Sequence, residues 1–158
     1  SFGGTVAFSG ANISLTDSTP LSLAASTATG SVVLNSTGAV TQTGALTVAG
    51  TTTVTATKAD ITLANAANSL TGAVTFTGSN VSLTNNRATL LGASTTTGTL
   101  VVTSAAGLTQ NGALTIGGNA TLTATDITLA NTGNSFGGTI AFTGATVALF
   151  DSTALARA

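Results

Sequence analysis

The sequence predicts an all-β fold, a right-handed parallel β-helix with about seven three-sided coils of about 22 residues each. Three observations support this prediction. A long segment of the chain is repeated, short stretches alternate apolar with small polar residues, and the strong helix formers Glu, Met and Lys are almost absent. We therefore expect almost no helix and a chain that winds around one axis.

The internal repeat defines the organisation of the chain. The segment Asn68–Gly78 returns with small changes as Asn134–Gly144, and the chain opens with a third version at Ser1–Gly10. Phe2, Leu70 and Phe136 are thus equivalent positions. The first spacing is longer than the second because of an insertion, Lys58-Ala59, which we expect in a turn because the sequence on both sides stays in register.

Residues 1–158 are predicted to form a single β-solenoid segment of a larger repeat protein. No export signal is visible, because Ser1 already lies within the repeat pattern. The approximate repeats are 1–67, 68–133 and 134–158. A period of about 67 residues divides into three coils with three short strands each, so equivalent residues should lie three coils apart in one column.

Short segments with a two-residue period predict strands that have one buried face. In Ile13-Ser-Leu15, Leu46-Thr-Val48 and Val74-Thr-Phe76, for example, the apolar residues would point into the core. Glycine, Asn, Ser and Thr separate these segments and supply the turns. The predicted coils are 5–30, 31–50, 51–72, 73–98, 99–118, 119–138 and 139–158, with first strands that begin near Val6, Val32, Val54, Val74, Leu100, Leu122 and Ile140.

Recurrent small and polar residues predict the corners of the coils. Glycine adopts positive φ at little cost and Asn tolerates it, so both suit turns between faces. Asp17, Asn85 and Asp151 occupy one repeat position, where the expected role is to cap a turn. The equivalent glycines are Gly4 with Gly72 and Gly138, and Gly10 with Gly78 and Gly144; the equivalent asparagines are Asn12 with Asn80, Asn65 with Asn131, and Asn68 with Asn134.

Composition excludes several classes of partner. Charged residues make up 4% of the chain and the three cations are scattered, so we expect neither nucleic acid nor an anionic membrane surface as a partner. Hydrophobic residues make up 42%, which favours a folded chain over a disordered linker. No apolar run approaches the ~20 residues of a membrane-spanning helix, so no membrane insertion is expected. The absence of cysteine excludes disulfides and thiolate sites.

The residues that catalysis needs are missing or dispersed. There is no histidine, and the four aspartates are spread along the chain. Asp60 and Asp126 share a repeat position and are expected roughly 14 Å apart, too far for a catalytic pair. Lys58 is expected to form an exposed ion pair with Asp60. We therefore predict that the chain is not an enzyme and has no catalytic, metal-binding or cofactor-binding residues and no cofactor.

Threonine tracts leave two other functions open. Flat arrays of threonine can order water and bind ice, and the candidate tracts are Thr51–Thr57, Thr75–Thr77, Thr95–Thr97 and Thr121–Thr125. Such a face needs threonines on the same side of every coil, whereas Val32–Leu34 and Leu100–Val102 interrupt the column. Outward-facing β-branched strand residues explain the same tracts. The other alternative is a β-helix that binds or cleaves carbohydrate, although such enzymes gather acidic and basic residues on one face.

Three sequence segments indicate a family resemblance: Gly38–Val48, its copy Gly107–Ile116, and Ala59–Asn65. They resemble the degenerate repeats of filamentous haemagglutinin-like giant surface proteins, and the resemblance covers nearly the whole chain. It implies a right-handed β-helical shaft that a Gram-negative bacterium exports, often by two-partner secretion, and displays at or releases from its surface. The secretion domain of that family does not occur within these residues.

The expected function is therefore that of a structural shaft. Such a shaft would give an extracellular adhesin or filament the length and rigidity for surface attachment or matrix formation. The expected partners are neighbouring coils or copies of the chain itself, joined end to end or laterally, because the ends of a solenoid expose unpaired strand edges. Host or surface glycans would be bound through other regions.

Overall fold

The chain folds as a series of short parallel strands wound around one axis. The computed structural model describes residues 1–153 and the backbone of Ala156 and Arg157. These residues form 24 strands of two to five residues, and they contain no helix, hence none that could cross a bilayer. The strands are β1 (Thr5–Val6), β2 (Ser9–Gly10), β3 (Ile13–Asp17), β4 (Leu21–Leu23), β5 (Ser26–Ala28), β6 (Val32–Ser36), β7 (Val40–Gln42), β8 (Leu46–Val48), β9 (Thr52–Ala56), β10 (Ile61–Leu63), β11 (Ser69–Leu70), β12 (Val74–Gly78), β13 (Val81–Asn85), β14 (Thr89–Leu91), β15 (Ser94–Thr96), β16 (Leu100–Ser104), β17 (Leu108–Gln110), β18 (Leu114–Ile116), β19 (Ala120–Thr123), β20 (Asp126–Leu129), β21 (Ser135–Phe136), β22 (Thr139–Thr143), β23 (Thr146–Leu149) and β24 (Ala156–Arg157).

The strands stack into three parallel sheets, which confirms the predicted parallel β-solenoid. Most strands pair with the strand three places earlier in the chain, so each coil contributes about three strands. One sheet has nine strands, in the order β1-β4-β7-β10-β13-β16-β19-β22-β24, a second has four, β2-β5-β8-β11, and the third has the remaining eleven. The eleven-stranded sheet branches at β12, where Val74 pairs with β14 and Thr77 and Gly78 pair with β15.

The coils are shorter and less regular than predicted. The shortest steps include those from Val6 to Leu23 and from Val74 to Leu91, and the longest include those from Thr52 to Val74 and from Val48 to Leu70. Typical steps join Leu100 to Ala120 and Ala120 to Ile140. The predicted length of about 22 residues is the upper end of this range, so it is too long for most coils. The described residues make about seven turns, as predicted.

Two of the predicted coil boundaries are wrong. The stretch 5–30 holds five short strands and the stretch 73–98 holds four, whereas a coil has about three. Val6 already pairs with Leu23, and Val74 already pairs with Leu91, so in both stretches the next coil begins before the predicted end. The other predicted coils begin at the first residue of a strand or one residue before it, and that strand stacks on the first strand of a neighbouring coil. Val32, for example, pairs with Thr52.

Each long repeat contains ten strands and so spans three and a third coils, not three. β13 is equivalent in sequence to β3, and β23 to β13, in each case ten strands later. Equivalent strands lie in different sheets: β5 is in the four-stranded sheet and β15 in the eleven-stranded sheet, whereas β6 is in the eleven-stranded sheet and β16 in the nine-stranded sheet. The prediction that equivalent residues share one column is therefore wrong. Successive repeats are rotated around the axis by about one face.

The inward residues of the strands form one continuous core. Leu63, Leu83, Val102 and Leu122 stack directly on one another in successive coils, and none is more than 1% exposed. Each fully buried side chain of this kind contributes about 1.5–3 kcal/mol. The predicted alternation, with apolar residues inside and Ser or Thr outside, is confirmed in these strands.

Within the described residues, the coils at the two ends are covered less completely than the interior coils. Phe8 in the first coil and Phe142 near the other end are half-buried, whereas their repeat equivalent Phe76 is 0% exposed between two coils. Phe2 and Phe150 are both 40% exposed. Phe2 is exposed although its equivalents Leu70 and Phe136 are buried between coils, whereas Phe150 stands at an outward position equivalent to Thr84.

The corner glycines permit close approach of neighbouring coils. No glycine among the described residues has a positive φ, so the prediction that these glycines supply left-handed turns is wrong. A Cβ on Gly50 would lie 2.6 Å from the carbonyl carbon of Gly30, and a Cβ on Gly72 would overlap Gly50 in the same way. Successive glycines thus let the backbones of adjacent corners touch, which no larger residue allows.

Candidate functional site

Two pairs of amide side chains, largely buried, hold successive coils together. The Nε2 atom of Gln42 donates to Oδ1 of Asn68, and Nδ2 of Asn68 donates to Oε1 of Gln42, both at 2.8 Å. Asn68 Oδ1 also accepts from the backbone amide of Leu46, at 2.8 Å, and its Nδ2 also donates to the carbonyl oxygens of Leu63 and Thr84, at 3.0 and 3.1 Å. We call this pair and its backbone contacts an amide clamp, because it joins three consecutive coils.

The second amide clamp repeats the first. Gln110 and Asn134 exchange the same two hydrogen bonds at 2.8 Å, and Asn134 again binds the backbone of three coils. The predicted corner positions of Asn68 and Asn134 are thus confirmed, but both residues are 0% exposed and their glutamine partners were not predicted. The motif Gln-x-Gly-Ala-Leu occurs at both glutamines, and this recurrence is the sequence feature that could have identified them as partners.

The turn-capping role predicted for Asp17, Asn85 and Asp151 is confirmed. Asp17 Oδ1 accepts from the backbone amide and hydroxyl of Thr19, at 3.0 and 2.8 Å, and Oδ2 accepts from the backbone amide of Phe2 at 3.2 Å. At the equivalent corner, Asn85 exchanges two hydrogen bonds of 3.0 Å with the backbone of one residue, Leu70. An amide therefore replaces the carboxylate here without loss of the corner.

The capping bonds also set the ionisation of the two aspartates. Burial raises the pKa of the Asp17 carboxyl, but the hydrogen bonds from Thr19 and Phe2 and the positive N-terminal amine outweigh it, so the pKa lies below its ordinary value. Burial likewise raises the pKa of Asp151, and hydrogen bonds from Phe136 and Thr153 lower it further than burial raises it. Both carboxyl groups are therefore held as carboxylates.

Exposed asparagines at the entry to three strands form a second kind of link between coils. The Oδ1 atom of each accepts a hydrogen bond from a backbone amide of the next coil, at 2.9 to 3.0 Å. The acceptors are Asn12, Asn80 and Asn119, and the donors are Ser31, Thr99 and Thr139 respectively. The predicted corner positions of Asn12 and Asn80 are confirmed.

The insertion Lys58-Ala59 lies in a turn, as predicted. Lys58 has a φ of 57°, the one positive φ among the described non-glycine residues. The expected ion pair between Lys58 and Asp60 is not formed. Asp60 Oδ1 instead accepts hydrogen bonds from the backbone amide and the Nδ2 of Asn80 in the next coil, each at 3.0 Å. Within the described residues the one charge pair joins the N-terminal amine to Asp17.

Asp60 and Asp126 lie at strands of different sheets. Asp60 leads into β10 of the nine-stranded sheet, whereas Asp126 begins β20 of the eleven-stranded sheet. Asp126 accepts a hydrogen bond from the hydroxyl of Thr146 at 2.6 Å. The expectation that they stack three coils apart is wrong for the same reason as for the other equivalents, namely that a repeat contains ten strands.

A column of threonines runs along the outer side of the eleven-stranded sheet. Thr55, Thr77, Thr95 and Thr115 pair in successive coils, at the ~4.8 Å spacing of stacked strands. We call these four residues the threonine ladder. The interruptions predicted for other columns are present: Val33 stands outward between Ser14 and Thr53, 36% exposed, and Val101 stands outward in the nine-stranded sheet, 37% exposed.

A shallow groove of about 250 Å³ follows the threonine ladder beside the Lys58 turn. It is lined by Thr55, Ala56, Thr57, Lys58, Thr77, Gly78, Thr95 and Thr97. The groove thus offers hydroxyl and methyl groups and one ammonium group. No carboxylate, imidazole, thiol or aromatic ring lines it, so its hydroxyl and ammonium groups could hold water or sugar hydroxyls.

The described residues contain no group of three or more His, Cys, Asp or Glu that could hold a metal ion. The polar side chains with the most hydrogen bonds are instead those of the amide clamps and of the corner residue Asn85, and many of their partners are backbone groups of neighbouring coils. What the polar residues of this chain do in the folded state is therefore to connect one coil to the next.

Comparison with known proteins identifies the family. Two successive segments of the chain, residues 10–77 and 78–143, match the family described as repeats of unknown function, DUF5649. The two segments follow the internal repeat, because they begin at the equivalent glycines Gly10 and Gly78 and the second ends just before Gly144. Neither the curated proteins nor the solved structures gave a significant match. Because the two matches cover most of the chain, the protein belongs to the DUF5649 repeat family.

Proposed function

We propose that this segment is a structural shaft of an extracellular bacterial adhesin or filament, in which it supplies length and rigidity. The observation that carries the proposal is the continuous stack of coils. Inward residues such as Leu63, Leu83 and Val102 pair in successive coils and are fully buried. A stack of this kind is lengthened by adding further coils, which is how a longer shaft is built.

The side chains of the solenoid support a mechanical role. The core is a stack of aliphatic residues, and the buried amide groups are bound to the backbone of adjacent coils. Successive coils are therefore tied together by strand pairing and packing, and the two amide clamps add side-chain hydrogen bonds at two places along the stack. A rod made in this way resists bending, because any bend must open contacts between coils on one side.

Secretion and surface display are part of the same proposal. They rest on the resemblance of the repeats to filamentous haemagglutinin-like surface proteins of Gram-negative bacteria. A chain without cysteine and with 4% charged residues is compatible with an exported, oxidising environment, in which free thiols would cross-link. The partners we propose are copies of the same solenoid, stacked at their open ends.

A tandem chain tests the shaft directly. Residues 135–153 are equivalent to residues 1–19, so residues 1–134 followed by residues 1–158 keep the repeat in register. This adds two repeats, or six and two-thirds coils, and should lengthen the rod by about 32 Å in small-angle scattering. A matched tandem in which the junction is shifted by half a coil breaks the register and should not form one continuous rod. A compact particle from the in-register tandem would refute the shaft.

A second candidate function, the ordering of water at an ice surface, has one observation in its favour. The threonine ladder is unbroken over four coils, and Thr53 and Thr75 form a second column beside its first two steps. If this surface binds ice, the purified chain should show thermal hysteresis, and Thr77→Leu should abolish it while Thr128→Leu in β20 should not. A chain without thermal hysteresis removes this candidate.

A further inference from the structure

Four asparagines of the chain stand two residues before a Ser or Thr, the acceptor pattern for N-linked sugar. They are Asn12 with Ser14, Asn35 with Thr37, Asn80 with Ser82, and Asn119 with Thr121. In a strand the two polar residues of such a triplet project on the same side, and here they project outward while the middle residue points inward. The triplet is common in a chain so rich in Ser and Thr, so the structure around each asparagine has to decide between them.

Three of the four asparagines lie at the surface of the solenoid. Asn12, Asn80 and Asn119 are exposed, and each lies at the corner that leads into a strand. The next coil holds the Oδ1 atom of each through a backbone amide, at 2.9 to 3.0 Å. The carboxamide orientation is therefore fixed, with the oxygen toward the neighbouring coil and Nδ2 on the opposite side.

The nitrogen atoms of these carboxamides are little used by the fold. Within the described part of the chain, Nδ2 of Asn12 and Nδ2 of Asn119 have no hydrogen-bond partner, and Nδ2 of Asn80 donates only to the exposed carboxylate of Asp60, at 3.0 Å. A sugar on Nδ2 would leave the bond to Oδ1 intact. The cost of modification to the fold is thus small at all three positions.

The remaining asparagines show the contrast. Asn35 has the same triplet, but it lies within β6, half-buried in a column between Thr16 and Thr55. Asn68 and Asn134 are fully buried, use their Nδ2 atoms in the amide clamps, and are followed two residues later by inward apolar residues. Asn35 is therefore an internal control, with the triplet but without the exposed, oriented carboxamide of a corner.

We propose that Asn12, Asn80 and Asn119 are acceptors of N-linked sugar from a diphosphate-activated sugar donor. In the transfer, Nδ2 attacks the anomeric carbon of the donor sugar. A bond forms between Nδ2 and that carbon, the bond from the carbon to the diphosphate oxygen breaks, the diphosphate leaves, and Nδ2 gives up one proton. No oxidant or metal is needed from this chain.

The geometry of the repeat would distribute these sugars around the rod. Asn80 and Asn119 lead into β13 and β19 of the nine-stranded sheet and lie two coils apart, about 10 Å along the axis. Asn12 leads into β3 of the eleven-stranded sheet, because the equivalent position of the next repeat is rotated by one face. Sugars at the three positions would thus hydrate more than one side of an almost uncharged surface.

Glycopeptide mass spectrometry of the protein isolated from its natural source tests the proposal. We expect sugar on Asn12, Asn80 and Asn119 and unmodified Asn35. Expressed in the same cells, the variants Ser14→Ala, Ser82→Ala and Thr121→Ala should each lose the sugar of their own triplet only, and Ser22→Ala, an outward residue outside any triplet, should lose none. Unmodified asparagine at all three positions overturns the proposal, as does modification of Asn35 to the same extent as the others.

This test is independent of the shaft. Sugar on a chain that proves compact would contradict the proposed function alone, and bare asparagines on a rod-shaped chain would contradict the glycan proposal alone.

Discussion

At the scale of single residues, the fold depends on a few polar side chains placed inside an otherwise apolar stack. Gln42 pairs with Leu23 of the previous coil, at a position that a hydrophobic residue would fill as easily. The buried amide of Gln42 is tolerated there because Asn68 makes hydrogen bonds to it. Asn68 in turn makes hydrogen bonds to backbone groups at a corner, where no neighbouring strand is available to pair with them. The amide clamp therefore replaces ladder hydrogen bonds where the chain turns.

Removal of an amide clamp should destabilise the protein strongly. Asn68→Ala leaves the backbone amide of Leu46, two carbonyl oxygens and the side chain of Gln42 without these partners, and each unmet buried group costs about 1–3 kcal/mol. We expect a loss of about 3 kcal/mol or more in the free energy of unfolding, measured by urea denaturation. Asn111→Ala, at an exposed turn position, is the matched control and should change the free energy by less than about 0.5 kcal/mol. Equal effects of both variants would contradict the clamp.

Glycine substitutions should show whether a glycine is needed for close contact between coils or for its backbone conformation. A Cβ on Gly50 would meet the backbone of Gly30 at 2.6 Å, whereas nothing lies within 4 Å of a Cβ on Gly4. Because neither glycine has a positive φ, only the contact differs. We expect Gly50→Ala to lower the unfolding free energy by about 1–3 kcal/mol and Gly4→Ala to leave it unchanged or slightly raised. The thermal midpoints of the two variants provide the measurement, and equal midpoints would contradict the contact.

Acid should weaken the corners capped by aspartate. The pKa values of Asp17 and Asp151 are lowered in the folded chain, so each contributes stability that is complete above the ordinary pKa of about 3.9 and is lost as the pH falls toward the folded value. Urea unfolding at pH 7 and at about pH 3 should show this loss. The double variant Asp17→Asn, Asp151→Asn should fold, since Asn85 serves the equivalent corner, and its stability should change less between the two pH values. An unaltered pH dependence would show that other groups are responsible.

At the scale of elements, each strand is stable because of the coils on either side of it. A short strand has too few contacts to persist alone, and the pairing of β12 with β9 below and with β14 and β15 above provides what it lacks. Corners of unequal length allow a short coil, such as the one from Val6 to Leu23, and a long one, from Thr52 to Val74, to stack in the same solenoid. The length of the sequence repeat therefore need not be a whole number of coils.

Substitution of equivalent phenylalanines should show how much a covering coil contributes to the free energy of unfolding. Phe76 lies between two coils, whereas Phe8 lies in the first coil and has a neighbour on one side only. Phe76→Ala should cost about 3–5 kcal/mol, and Phe8→Ala well under half of that. Denaturation curves of the two variants, compared under the same conditions, provide the measurement. Similar losses would mean that the first coil is as well covered as the interior, contrary to the structure.

Local sequence predicted the strands well and their stacking less well. The alternation in Ile13–Leu15 or Leu46–Val48 identifies the inward residues, because the period of a strand is a local property. Which strand stacks on which is decided by corner lengths and by contacts between residues a whole coil apart, and neither is visible in a local pattern. For this reason the local pattern predicts one coil over the stretch 5–30, which holds five short strands, and predicts nine strands per repeat where the structure has ten.

The candidate sites show the same division. A recurring Asn at position 68 indicated a corner, but only the structure shows that Gln42, in an earlier coil, completes it. A recurring glycine indicated a backbone requirement, but sequence does not distinguish a positive φ from a close contact with the next coil. Lys58 and Asp60 are near neighbours in sequence, yet the coil above supplies the partner of Asp60.

At the scale of the whole molecule, the solenoid is a one-dimensional stack whose surface pattern turns around the axis. Each repeat advances the rod by three and a third coils, about 16 Å, and three repeats bring the same pattern back to the same face. Features encoded by the repeat are therefore displayed on successive sides of the rod. The predicted right-handed winding, which follows from the crossover rule, stays a prediction.

The most direct test of the stacked rod is a distance between two labels in one column. Thr16, Asn35, Thr55, Thr77, Thr95, Thr115 and Ser135 pair in succession, so Thr16 and Ser135 are six coils apart. The chain has no cysteine, so Thr16→Cys and Ser135→Cys allow two spin labels to be attached at these positions alone. Pulsed electron–electron double resonance should give one narrow distribution of distances between the labels, centred at about 29 Å, because six coil steps of about 4.8 Å separate them. A broad distribution, or a distance well below that value, would contradict the rod.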